Sequence, residues 1–124
     1  MGKVAGIRGA VSVEQNRRED ILASTRLLLN EMVERNCIEV EDIVSVIFTA
    51  TPDLNAAFPA EAARQMGWTN TALMDAVELP VPGSMPKVIR ILIHVNVADD
   101  FHATHVYLGN CQRLRPDLSA KEDE

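Results

Sequence analysis

The stretch Val88-Ile89-Arg90-Ile91-Leu92-Ile93-His94-Val95-Asn96-Val97 decides the fold. Its residues are mostly β-branched, which favours an extended backbone. Successive side chains of a strand point to opposite faces. Ile89, Ile91, Ile93, Val95 and Val97 therefore share one wholly apolar face. Val88, Arg90, Leu92, His94 and Asn96 share the other, and Ala98-Asp99-Asp100 breaks the run. A strand with one apolar face needs a layer of helices to cover it. Arg90 is the odd residue. A charge in mid-strand can simply keep an exposed edge from pairing. Between Val88 and Leu92 it can equally be a half-buried cation kept for a ligand.

The segments on either side supply the rest of the sheet. Ile43 to Thr51 is a continuous β-branched run and predicts a strand covered on both faces. Ala72 to Leu79 is a third strand candidate, and Pro80-Val81-Pro82-Gly83-Ser84-Met85-Pro86 is a loop. Val4 to Val11 predicts a strand interrupted at Gly6 and Gly9, through bends or a close backbone approach. His105 to Leu108 predicts a short last strand.

Two helices fill the gaps. Ile21, Leu22, Thr25, Leu28, Leu29, Met32 and Val33 recur at helical spacing. Asn16 with Glu19 has the spacing of a capping box, and Asn36 is the expected stop. A shorter helix starts near Pro59, runs through Arg64 and ends at Gly67. The order β-α-β-α-β-β-β predicts a single α/β or α+β domain over residues 1–124, with one mixed sheet and helices on one side. The last residues, from about 116 to 124, read as a flexible tail.

Composition excludes several functions. The chain has 124 residues, with 47% hydrophobic and 24% charged side chains. Its net charge is -6, and no Lys/Arg-rich run interleaves with aromatics. Nucleic acid is not an expected partner, because phosphate neutralisation needs a basic footprint. An anionic membrane surface is disfavoured on the same ground, and no apolar run approaches a membrane span. The start carries no apolar signal core, so the expected location is cytoplasmic. Cys37 and Cys111 are then free thiols, expected as small buried residues and not as nucleophiles.

The usual catalytic signatures are absent. There is no phosphate-binding glycine loop, no dinucleotide turn and no nucleophile elbow. His102-x-x-His105 lacks a third ligand at a supporting spacing and reads as two surface histidines leading into a strand. Arginines in unusual places remain. Arg8 lies inside Gly6-Ile7-Arg8-Gly9-Ala10, Arg90 in mid-strand, and Arg115 before Pro116. Arginine suits planar, bidentate recognition of carboxylates. Cations gathered in an acidic protein point to a small anionic ligand.

The motifs occur in a telling order. Gly6-Ile7-Arg8-Gly9-Ala10, Ala50-Thr51-Pro52-Asp53-Leu54, Ala57-Phe58-Pro59-Ala60, the Arg90 strand, His105-Val106-Tyr107-Leu108 and Leu114-Arg115-Pro116-Asp117-Leu118 follow one another across nearly the whole chain. In this the chain resembles the monofunctional, trimeric α/β class of chorismate mutase. The resemblance implies a pseudo α/β barrel formed as a homotrimer, with helices outside and active sites between subunits. It implies a cofactor-free, metal-free Claisen rearrangement of chorismate to prephenate in aromatic amino-acid biosynthesis. Arg8 and Arg90 would bind the substrate carboxylate and ether region, Glu78 the ring hydroxyl, and Tyr107 a carboxylate. Phe58, Ala60, Leu73, Met74 and Leu114 would line the pocket, with Arg64 and Arg115 at its mouth. Glu61 stands where a lysine can occur. Met74 and Asp75 stand where small polar or thiol side chains can occur, and Asp75 should face solvent or an arginine.

Two other readings use the same residues. One is a non-catalytic trimeric binding module for a small carboxylate, with Glu78 merely structural. The other places all the arginines in structural ion pairs and predicts no binding of small anions.

Overall fold

The computed structural model describes residues 2–113. In chain order the elements are β1 (Gly2–Ser12), α1 (Arg18–Asn36), β2 (Ile43–Ala50), α2 (Ala60–Gln65), β3 (Ala72–Val77), β4 (Val88–Ala98) and β5 (Val106–Leu108). The strands form one five-stranded sheet in the order β3-β2-β4-β1-β5. It is mixed: β4 runs antiparallel to both neighbours, while β3 and β5 run parallel to β2 and β1. The predicted mixed sheet with two helices is what the chain forms. Leu114, Arg115 and the tail lie outside the described residues.

The core lies between one sheet face and the helices. Ile89, Ile91, Ile93 and Val95 of β4 meet Ile21, Leu28, Leu29 and Met32 of α1, with Ile7, Val46 and Phe48 from flanking strands. These side chains are mostly aliphatic, as the scarcity of aromatics predicts. Among the described residues no helix is long and apolar enough to cross a membrane.

Several local expectations are corrected. The bends expected at Gly6 and Gly9 are absent, since β1 pairs with β4 without interruption from Gly2↔Ala98 to Ser12↔Val88. Gly9 instead provides the close approach: a Cβ there would lie 2.6 Å from Met32 Sδ, so α1 sits directly on the strand. The run through β2 is not covered on both faces within the chain. Its burial alternates, and Val44 is exposed at an irregularity between Ile43 and Ser45. Asn16 does not cap α1; the N-cap is Arg17, without a side-chain bond. The Asn16 side chain bonds the segment before α2 instead, accepting from the Asn55 and Ala56 backbone N–H groups. Asn36 is the last helical residue, and Cys37 makes the left-handed turn at φ 52°. That turn leaves Cys37 exposed, against the expectation that both cysteines are buried.

Candidate active site

The sheet face away from the helices gathers the polar residues. Strand register aligns one row across all five strands: Tyr107, Ala10, Arg90, Thr49 and Ala76. Arg90 is therefore flanked by the small side chain of Ala10 and the short hydroxyl of Thr49. The next row places Arg8 beside Leu92, then Ile47 and Met74. Glu78 follows the end of β3 and stays beside β2 because its N–H donates to the Ala50 carbonyl at 2.9 Å.

One cavity of about 270 Å3 is lined by Arg8, Thr49, Glu78, Arg90 and Tyr107 among others. Arg90 Nε lies 2.7 Å from Glu78 Oε1, and the Arg90 side chain remains 37% exposed. Thr49 Oγ1 donates to the same Oε1, also at 2.7 Å. Arg8 is exposed at the rim, and its backbone N–H donates to His105 Nδ1 at 3.0 Å. That bond anchors His105, at the start of β5, to β1. Of the histidine pair only His105 adjoins the edge strand; His102 is exposed in the segment before it.

On the same face, the β1–β5 end of this row belongs to a small apolar cluster of Ala10, Val88, Tyr107 and Cys111. Burial pushes the Cys111 thiol up to about 11, with Arg90 pulling weakly the other way. The Tyr107 hydroxyl is buried and has no hydrogen-bond partner among the described residues. A buried hydroxyl without a partner costs about 1–3 kcal/mol, so an acceptor brought in by a ligand gains that much from it.

The remaining expected site residues are not brought to this cavity. Leu73 and Asp75 pair with Val46 and Phe48 and so belong to the helix-bearing face. The substrate contacts expected for them are not available at the Arg90 cavity of the same chain. Asp75 Oδ1 accepts the Ala60 backbone N–H at 3.0 Å, at the first turn of α2. Burial raises its carboxyl above the usual range, opposed by the Ala60 N–H and by Arg64. The expectation that it faces an arginine or solvent is half right, because its direct partner is a backbone N–H. Phe58 and Asp75 instead line a separate groove of about 520 Å3, with Arg18, Glu61 and Val77. Ala60 is buried beside it and Arg64 is exposed on α2. Met74 shares the cavity's sheet face but is 62% exposed and lies outside its lining. Glu61 does not leave its surroundings without a cation, because it pairs with Arg18 across the helices, and that guanidinium holds its carboxyl below the usual range.

Sequence reasoning missed Thr49. Its signal was present, as a hydroxyl of the right parity inside an apolar strand, but only strand register shows that it stands opposite Arg90.

The family model described as "Chorismate mutase type I" matches residues 4–118. A curated relative from Thermus thermophilus, named "Chorismate mutase AroH", is 50% identical over 121 residues, covering 96% of this chain and 99% of that protein. One of the same name from Bacillus subtilis (strain 168) is 42% identical over 119 residues, covering 94% and 93%. The solved structure of a chorismate mutase from Clostridium thermocellum superposes with a TM-score of 0.85 at 51% identity, covering 88% of this chain and 98% of that one.

Proposed function

This chain belongs to the type I chorismate mutase family, and from that premise we propose that the cavity holding Arg8, Glu78, Arg90 and Tyr107 is where the reaction occurs. The chain is a chorismate mutase, an isomerase that converts chorismate to prephenate in aromatic amino-acid biosynthesis. A purely binding role is not favoured, since relatives this similar are named as the enzyme.

The observation that carries the site assignment is Arg90, which lines the cavity with its guanidinium held in an ion pair with Glu78 through Nε. The reaction is an intramolecular rearrangement in which a C–O bond breaks as a C–C bond forms. It needs no nucleophile and no proton transfer. It needs chorismate held in a compact, chair-like conformer, which lowers the barrier through orientation. Arg8 and the Tyr107 hydroxyl bind carboxylate oxygens for that purpose. Negative charge grows on the ether oxygen as its bond breaks. A preorganised guanidinium there stabilises the transition state more than the ground state. Glu78 accepts the ring hydroxyl and faces the positive charge developing on the ring.

The working site is completed by a second copy of the chain, in a homotrimer. Phe58, Arg64, Leu73 and Asp75 stand apart from Arg90 in one chain, yet the family resemblance assigns both groups to one pocket. Met74, Val77, Leu79, Val81 and Phe58 are exposed by 62%, 74%, 80%, 58% and 67%, an apolar margin suited to burial against a neighbour. The cytoplasm is the compartment we assign, with Cys37 and Cys111 as free thiols in support.

The decisive experiment follows the ultraviolet absorbance of chorismate. The protein accelerates its loss and prephenate accumulates. Arg90→Lys keeps the charge but loses the planar fork, so kcat falls about a hundredfold to a thousandfold. Full activity in that variant would remove Arg90 from the mechanism.

A further inference from the structure

The carboxylate of Glu78 is held from two sides, and the second side has no role in the reading above. Glu78 lies past the end of β3, next to the loop that begins at Pro80. A glutamate there, touching only Arg90 Nε, swivels about that single contact. Thr49 prevents this. It stands directly opposite Arg90 in the β2–β4 register, and its Oγ1 donates to Glu78 Oε1 at 2.7 Å. A β-branched side chain in a strand is stiff at χ1, so the hydroxyl is itself fixed.

Both contacts end on the same oxygen. Thr49 Oγ1 donates to Glu78 Oε1, and Arg90 Nε forms an ion pair with it, each at 2.7 Å. Among the described residues Oε2 makes no hydrogen bond, and it belongs to a side chain that lines the cavity. The ion pair also ties Arg90, which lines the cavity, to Glu78 through Nε.

We propose that Thr49 is a positioning residue for the rearrangement: it pins Oε1 so that Oε2 meets the substrate hydroxyl and Arg90 meets the ether oxygen. The proposal rests on the reading of this cavity as the chorismate site. Thr49 touches no reacting atom and acts only through Glu78.

Thr49→Val keeps the branched shape and the strand preference while removing the hydroxyl. A hydrogen bond to a charged group is worth more than a neutral one, and kcat/KM in this variant falls about tenfold or more. The folded state, followed by circular dichroism and melting temperature, stays close to that of the parent. Thr49→Ser restores the donor and recovers most of the loss, which a packing role would not do. In a Glu78→Ala background, Thr49→Val adds no further loss, because the hydroxyl then has nothing to orient. If Thr49→Val matches the parent while Glu78→Ala is impaired, the proposal fails and the site reading stands. An equal loss with and without Glu78 also overturns it. If Glu78→Ala and Arg90→Lys both keep full activity, the site reading itself has failed, and the role of Thr49 with it.

Discussion

Asp75 carries its carboxylate where burial disfavours charge, beside the first turn of α2. Its folded-state pKa is raised above 3.8, the value for the unfolded chain. For an acid this sign means that ionised Asp75 costs folding free energy at neutral pH, and the cost disappears as pH falls through the folded pKa. Asp75→Asn removes that titration and leaves the side-chain oxygen able to accept from Ala60. The melting temperature of the parent, relative to Asp75→Asn, therefore rises from neutral pH down into the carboxylate range. A difference that is flat or falls over that span would show that Asp75 is stabilised as the anion. Cys111 gives a second residue-level test with the same logic at the alkaline end. Its thiol is fully buried and pushed from 9.0 up to about 11. The stability it contributes is intact below 9.0 and is lost as pH rises through about 11. At neutral pH a disulfide reagent should modify only Cys37 in the native protein and both thiols after denaturation. Rapid native labelling of Cys111 would contradict its burial.

Among the elements, the Asn36 side chain ties the end of α1 to the segment leading into β5. Asn36 Nδ2 donates to the carbonyls of Met32 at 2.8 Å and Thr104 at 2.9 Å, and its Oδ1 accepts the Thr104 N–H at 2.7 Å. Asn36→Ala leaves the backbone groups of Thr104 without this partner, at a cost of about 1–3 kcal/mol. Urea unfolding should show the midpoint moving down with an unchanged slope. Tyr107 lies three positions beyond Thr104, so part of the loss should appear as weaker substrate binding. A midpoint equal to the parent's would mean that water replaces Asn36. This contact also marks the limit of what the sequence discloses. The strands and helices are legible because apolar periodicity reports which face is buried, as with Ile89, Ile91, Ile93 and Val95. The roles of Asn16 and Asn36 are not legible, because a short amide caps a helix or bridges to a distant segment with equal ease. The choice depends on tertiary neighbours: Asn55 and Ala56 for one, Thr104 for the other. For the site, the spacing of β4 brings out Arg90, but its pairing with Glu78 and Thr49 depends on strand order, which periodicity does not encode. Glu78 and Tyr107 came into the site through family resemblance, since a lone glutamate or tyrosine in a strand has no pattern of its own.

At the scale of the whole molecule, the separation of two residue groups becomes the central question. Arg8, Glu78, Arg90 and Tyr107 face one cavity, while Phe58 and Asp75 line a groove elsewhere on the same chain. In a closed cyclic trimer each interface joins one surface of a subunit to a different surface of the next. In the trimer proposed above, the first group of one subunit would meet the second group of its neighbour, so that each pocket would draw on two chains. Mixed trimers test this arrangement. Arg90→Ala disables the first group, and Arg64→Glu places a like charge against a dianionic substrate in the second. Each variant alone is inactive or nearly so. When the two are denatured together and refolded in equal amounts, chance pairing gives an intact pocket at about a quarter of interfaces. Activity should therefore reappear at about a quarter of the parent's specific activity, with chorismate affinity close to the parent's. Light scattering on the same sample should report a mass near three chains. If the site lies within a single chain, no pocket in the mixture is intact and activity stays absent. A monomer that is active by itself contradicts the shared pocket outright.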